Sequence, residues 1–119
     1  FLRYKCMKKI KTLKMNYEFK NVFNKGKYYI GRQIIGYSMK NKRDFNRLGI
    51  AINTKLCHAV YRNKIKRKIR AAYQDLEFDC EKGYDLVFIW NKKTNISEMS
   101  YDVIYSDMKK MFLKMGIMK

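Results

Sequence analysis

Few side chains in this sequence are of the types that do chemistry, and those few are poorly spaced for it. The single histidine, His58, has adjacent Cys57 as its one nearby nucleophile, and sequence neighbours point in different directions on a helix, so they make a poor nucleophile–base pair. Asp44, Asp75, Asp79, Asp85, Asp102 and Asp107 show no spacing suited to paired carboxylates or to two metals, and there is no glycine-rich phosphate loop of the Walker type. Cys57, His58 and the distant Cys80 offer three metal-ligand types. Together with Cys6, however, the thiols form an odd set without Cys-x-x-Cys spacing, which argues for reduced thiols in packing or capping roles rather than for zinc or disulfides. The residue types point to binding rather than to catalysis by the protein itself.

The stretch that can bind is Tyr61 to Arg70, where six of ten residues, Arg62, Lys64, Lys66, Arg67, Lys68 and Arg70, are cationic. On a helical wheel at about 100° per residue, Tyr61, Ile69, Ala72 and Leu76 fall within about 40° of Ile65. That is a narrow apolar stripe for packing. The cations occupy the rest of the circumference, with Arg62 flanking the stripe and Asn63 among them. A solvated helix face is usually laced with Glu/Lys pairs four apart; here they are absent, and Arg62/Lys66/Arg70 and Lys64/Lys68 set like charges four apart, each costing a few tenths of a kcal/mol. A polyanion would remove that penalty.

The whole composition agrees. Of 119 residues 28 are Lys or Arg and 10 Asp or Glu, a formal charge of +18, which directs the chain to phosphate-rich polymers or anionic surfaces. No apolar run approaches the roughly 20 residues of a membrane span, and Phe1 to Lys14, basic throughout, has no apolar core of a signal peptide. With 47 % hydrophobic and 15 % aromatic residues the chain is no disordered basic tail, and at this length roughly two-thirds of the unfolded surface can be buried.

The elements that must position the basic helix follow in order. Residues 1–14 read as a mobile basic arm, with Met7 a candidate natural start, and residues 15–119 as one α/β domain. Asn16 can cap a short helix over Tyr17 to Asn24, with Phe19, Val22 and Phe23 on its apolar side and Gly26 as its stop. Tyr28 to Met39, broken by Gly31 and Gly36, reads as one or two strands with a bulge or close backbone approach at the glycines. Arg47 to Asn53 alternates like a strand with one buried face. The basic helix begins within Lys55 to Ala59 and runs to about Phe78, where Glu77, Asp79 and Glu81 oppose its dipole and should fray it. Leu86 to Trp90 is an unbroken apolar run suited to a central strand covered on both faces. Ser97 or Ser100 starts a last helix with Ile104, Met108, Met111, Phe112 and Met115 in its stripe. The expectation is an α+β domain, order α-β-β-β-α-β-α, with one sheet and helices packed on it as a sandwich.

Ala59-Val60-Tyr61-Arg62-Asn63-Lys64-Ile65-Lys66-Arg67-Lys68-Ile69-Arg70 closely resembles the signature of the bacterial ribonuclease P protein subunit, Ala-Val-x-Arg-Asn-Arg-x-Lys-Arg-x-x-Arg. Leu13-Lys14, Glu18-Phe19, Val22-Phe23 and Lys25-Gly26 are similar to that family's opening helix, and Arg47-Leu48-Gly49-Ile50 to its strand before the signature. The resemblance runs through roughly residues 13 to 115. Two departures stand out: Lys64 replaces the second Arg of Arg-Asn-Arg, keeping the charge but losing the planar fork that grips phosphate bidentately, and Cys57-His58 replaces a common Gly-Asn pair. The resemblance implies a compact sandwich that binds a large catalytic RNA and assists removal of 5′ leaders from precursor tRNA, the RNA with Mg²⁺ cleaving the phosphodiester. It implies that Arg62, Asn63, Lys64, Lys66, Arg67, Lys68 and Arg70 face the RNA subunit, and that Phe19, Phe23 and Tyr37 line a cleft for the single-stranded leader. Phe19 and Phe23 serve equally well, on spacing alone, as core anchors. The implied protein is cytoplasmic and monomeric in isolation. The alternative is a structural RNA-binding protein of ribosomal type, with no role in cleavage; a DNA-binding reading is weaker, since no helix-turn-helix partner precedes Lys55 and no dimerisation heptads occur.

Overall fold

The computed structural model describes residues 10–118. Four strands, β1 (Lys27–Ile30), β2 (Ile34–Lys40), β3 (Arg47–Ile50) and β4 (Tyr84–Trp90), form one sheet in the order β1-β2-β4-β3. β2 is antiparallel to both β1 and β4, while β3 runs parallel to β4. That parallel pair requires a crossover, and the crossover contains the basic helix α2 (Ala59–Leu76). Helices α1 (Asn16–Lys25) and α3 (Tyr101–Lys114) complete the expected order.

The main core lies where α2 and α3 meet one face of the sheet. Ile65, Ile69, Ala72, Tyr73 and Leu76 of α2 and Ile104, Met108, Met111 and Phe112 of α3 are buried against Ile34, Leu48, Leu86, Phe88 and Trp90. Gly36 lets α3 settle on β2, because a Cβ there would stand 2.1 Å from the Met111 sulfur. Buried Asp107 accepts the Gln33 and Ile34 N–H groups at 2.8 and 3.3 Å, tying α3 to the start of β2. On the opposite face a smaller cluster of Leu13, Val22 and Val87, with half-buried Phe19, Tyr37 and Met39, holds α1. β4 is thus covered on both sides, as its unbroken apolar run predicts.

Several expectations change in detail. Asn16 is the first residue of α1 and Met15 its cap position; the free N–H groups of Lys14 and Met15 are taken by the Glu18 carboxylate, both at 2.9 Å. Gly26 closes α1 in an extended conformation, φ −82°, not a left-handed one. β3 is covered on both faces, since Gly49 is buried under Phe19. The tail of the expected arm is not loose: Leu13 is buried, its N–H donates to Leu48 O at 3.0 Å, and Leu48 N–H donates to Lys11 O at 2.8 Å. Residues 1–9 of that arm, including Cys6 and Met7, lie outside the described residues. At its acidic end α2 tightens into a 3-10 turn over Glu77–Asp79, in line with the unfavourable charge–dipole arrangement there.

Candidate nucleic-acid interface

α2 presents its cations because its apolar stripe is held down from Ile65 onward. Tyr73 joins that stripe, a core residue missed on the wheel because it lies about 80° from Ile65, and Tyr61 leaves it, being 42 % exposed. The first turn therefore stands proud of the core. Asn63, Lys64, Arg67 and Arg70 are exposed, and Lys66 and Lys68 half-buried, as expected of long cations that lay their stems along a surface. Lys64 places its ammonium 5.6 Å from the Tyr61 ring centroid. A groove of about 550 Å³ runs along Val60, Asn63, Lys66, Arg67 and Arg70.

Arg62 behaves differently from its neighbours. Its Nη1 donates to Cys57 O at 2.6 Å and Thr54 O at 3.1 Å, so it braces the loop into α2. That brace matters because His58, at the cap position, makes no side-chain capping bond. Cys57 and His58 serve this helix entrance and do not converge with Cys80, whose thiol donates to Leu76 O at 3.3 Å and is pushed up to about 12 by burial, then by Glu77 and Asp79. Such a thiol stays protonated and is a poor nucleophile or ligand. Among the described residues no three His, Cys, Asp or Glu side chains gather to hold a metal ion.

The three aromatics singled out on α1 and β2 split into two settings. Phe23 lies edge-on to Tyr37, centroids 4.9 Å apart at 88°, and remains 37 % exposed. Phe19 turns instead to β3, within contact of Gly49 and beside Leu13, where it anchors α1. Two residues of β1 join the open surface: Tyr28, in register with Tyr37 and 6.0 Å from it, and Ile30, both more than 60 % exposed. Their signal was the alternation of Tyr28 and Ile30 on one side of β1, informative only once the β1–β2 register is known. A second groove, about 230 Å³, runs between the Thr12–Leu13 segment, Phe19, β3 and the α2 cations Lys66 and Arg70. Lys66 and Arg70 therefore border both grooves.

The acids near this surface are already engaged. Arg47 reaches Glu18 Oε2 at 2.5 Å and grips Asp85 with two bonds, 2.7 and 2.8 Å. Glu18 is held below its usual range chiefly by the N–H groups of Met15 and Lys14, with Arg47 adding to it; the Asp85 bond, foremost, raises Arg47. Arg47 holds both Glu18 and Asp85 in ion pairs, and none of the ion pairs between described residues takes up a cation of the α2 face. The outward cations of α2 are of the kind that tracks a nucleic-acid backbone, and the exposed rings on the α1 face of the sheet are of the kind on which bases stack.

Comparison with known proteins agrees with this chemistry. The chain matches the family model described as Ribonuclease P over residues 7–116. It is 38 % identical over 106 residues to a ribonuclease P protein component of Clostridium botulinum, covering 88 % of this chain and 94 % of that one. A ribonuclease P protein component of Thermoanaerobacter is 30 % identical over 107 residues, 90 % of each chain. Among solved structures, the Staphylococcus aureus RNase P protein superposes with a TM-score of 0.79 at 28 % identity, covering 93 % of this chain and all of that one. The Thermotoga maritima RNase P protein gives 0.77 at 25 % identity, covering 87 % and 96 %. With its sandwich, its basic crossover helix and a family match across nearly its whole length, this chain belongs to the ribonuclease P protein family.

Proposed function

We propose that this protein serves the ribonuclease P holoenzyme by seating α2 on the catalytic RNA while the α1 side of the sheet holds the 5′ leader of precursor tRNA. Its function is that of a ribonuclease P protein subunit in tRNA 5′ processing, with RNA as partner. The observation that carries the assignment of residues is the one-signed face of α2: Asn63, Lys64, Lys66, Arg67, Lys68 and Arg70 are accessible to different degrees, and no described acid is paired with them. Arg62 acts on the same interface from beneath, by fixing the helix entrance. Phe23, Tyr37 and Tyr28 offer π-faces without sequence preference, which suits leaders of varied sequence; Phe19 supports them from the α1 core.

Glu18 and Asp85 are taken up by Arg47. We assign Mg²⁺ mainly to the RNA, with this chain binding and orienting it. No helix among the described residues is long and apolar enough to cross a membrane. From the family's part in tRNA processing we place the protein in the cytoplasm, and its self-repelling charge of +18 favours a monomer before assembly.

The test is addition of the protein to a cognate ribonuclease P RNA at low Mg²⁺ with precursor tRNA as substrate. Stimulated 5′ cleavage is expected, and its absence would remove the assignment. Arg67→Ala with Arg70→Ala should weaken RNA binding and reduce the salt slope by up to about one unit for each phosphate no longer neutralised. An unchanged slope would put the RNA elsewhere on the molecule.

A further inference from the structure

The rings on the α1 side of the sheet form a row that runs outward. Phe23 lies edge-on to Tyr37 at 4.9 Å, and Tyr37 lies 6.0 Å from Tyr28. Tyr28 belongs to β1, whose outer edge pairs with no other strand among the described residues. The row therefore leads from α1 to an open edge of the sheet, where unpaired backbone groups of β1 face outward.

Behind that edge the other face of β1 is cationic. Side chains alternate across a strand, so with Tyr28 and Ile30 on the α1 side, Lys27 and Tyr29 are on the α3 side. The register agrees, because Lys27 pairs with Ser38, whose hydroxyl donates to Met115 Sδ at 3.1 Å. Lys114 of α3 holds its ammonium 5.8 Å from the Tyr29 ring centroid. Asp107, two turns earlier, accepts the Gln33 and Ile34 N–H groups just beyond β1, so this side of α3 runs along β1, with Lys110 between the two. Lys27, Lys110 and Lys114 are exposed, and none of the ion pairs between described residues takes them up. Asp107 is buried and engaged by those N–H groups. Lys110 and Lys114, four apart, repel each other, and an anion touching both removes that repulsion. Half-buried Tyr29, with a cation on its ring, fixes the Lys114 ammonium at the edge and so lowers the entropy lost when that charge engages an anion.

We propose that the 5′ leader, after passing Phe23, Tyr37 and Tyr28, turns over the free edge of β1 and lays its phosphates on Lys27, Lys114 and Lys110. The proposal rests on the α1 side holding the leader. Stacking ends at the edge; beyond it the contacts are to phosphates and carry no base preference. The leader is the occupant because the ring row runs into this edge, whereas Lys66 and Arg70 of α2 border β3, at the opposite end of the strand order. The site makes the protein a reader of leader length.

The experiment assembles the full chain with a cognate ribonuclease P RNA and measures affinity for precursor tRNA whose leader is lengthened one nucleotide at a time. With the parent protein, affinity should go on rising after the α1-side rings are filled. The double variant Lys110→Gln with Lys114→Gln should follow the parent for short leaders and reach its plateau earlier. For long leaders it should bind about fivefold more weakly and lose about 1.4 units of salt slope, the equivalent of two phosphates of a single strand. Lys114→Arg, which keeps the charge, should keep the parent's length dependence, and unchanged thermal melting of all variants excludes misfolding. Equal loss for leaderless tRNA overturns the proposal, since the cations would then meet the tRNA body or the catalytic RNA. No loss at any length overturns the site, provided that Phe23→Ala shows its leader-dependent loss in the same series. If Phe23→Ala shows none either, the α1-side leader reading has failed and this site falls with it.

Discussion

The two faces of the sheet are made from the same four strands and are put to different uses. On the α2/α3 side, Ile65, Ile69, Leu86, Phe88, Ile104, Met108 and Phe112 are all fully buried. On the α1 side, a ten-residue helix covers part of the sheet with a small cluster, and Phe23, Tyr28 and Ile30 are left open. Stability is concentrated on one face, which frees the other to display aromatic rings that a self-sufficient core would have covered. What replaces apolar packing on the α1 side is the Glu18–Arg47–Asp85 group, which ties the first turn of α1 to β3 and β4.

That contrast can be broken or sharpened by substitution. The largest effect is expected from Phe112→Ala, which removes a fully buried ring that meets Tyr73 and Phe88 and should cost ~3–5 kcal/mol by urea unfolding; a loss comparable to that of an α1-side aromatic would erase the distinction. Next comes Arg47→Met, which leaves the nearly buried Asp85 without its cation and should cost about 3 kcal/mol. If stability instead holds, α1 is retained by apolar contact alone.

Phe23→Ala should lower stability by only about 1 kcal/mol because the ring is already a third exposed, yet weaken leader-dependent substrate affinity by about 1–3 kcal/mol. Equal loss for leaderless tRNA would make Phe23 a packing residue. The smallest effect concerns acid. Because the folded state holds Glu18 below its ordinary value, its contribution is present above the unfolded carboxylate range near pH 4.3 and fades as pH falls through the lowered value. Glu18→Gln should therefore be less stable than the parent at pH 7, with the gap closing below about pH 4; a gap that widens in acid would reverse the assignment.

Much of this was legible beforehand, for reasons that differ from element to element. α2 and α3 carry apolar stripes at helical period, and β4 an unbroken run, so their types and order follow from local pattern. Tyr73 was missed because a helix held between a sheet and a second helix buries a wider arc than a narrow stripe predicts. The pairing of Lys11–Leu13 with β3 has no local signal at all: the segment is polar and short, and its strand character comes from the backbone groups β3 offers along its edge. The candidate cations of α2 were visible as a run of one sign. That Arg62 turns to the carbonyls of Thr54 and Cys57 was not, because it depends on how the preceding loop approaches the helix.

Lys66 and Arg70, shared by the α2 groove and the groove beside Phe19, carry a consequence for genetics. A change at either position alters the wall of both grooves, so on the proposed seating of the catalytic RNA against α2 one lesion should disturb both that contact and the packing of the Thr12–Leu13 segment and Phe19 that supports the α1 side. Second-site suppressors within the chain should then fall into two groups, one restoring charge along α2 and one repacking the Thr12–Leu13, Phe19 and β3 wall, whereas alleles of Asn63 or Arg67, which border the α2 groove, should be suppressed from the first group alone.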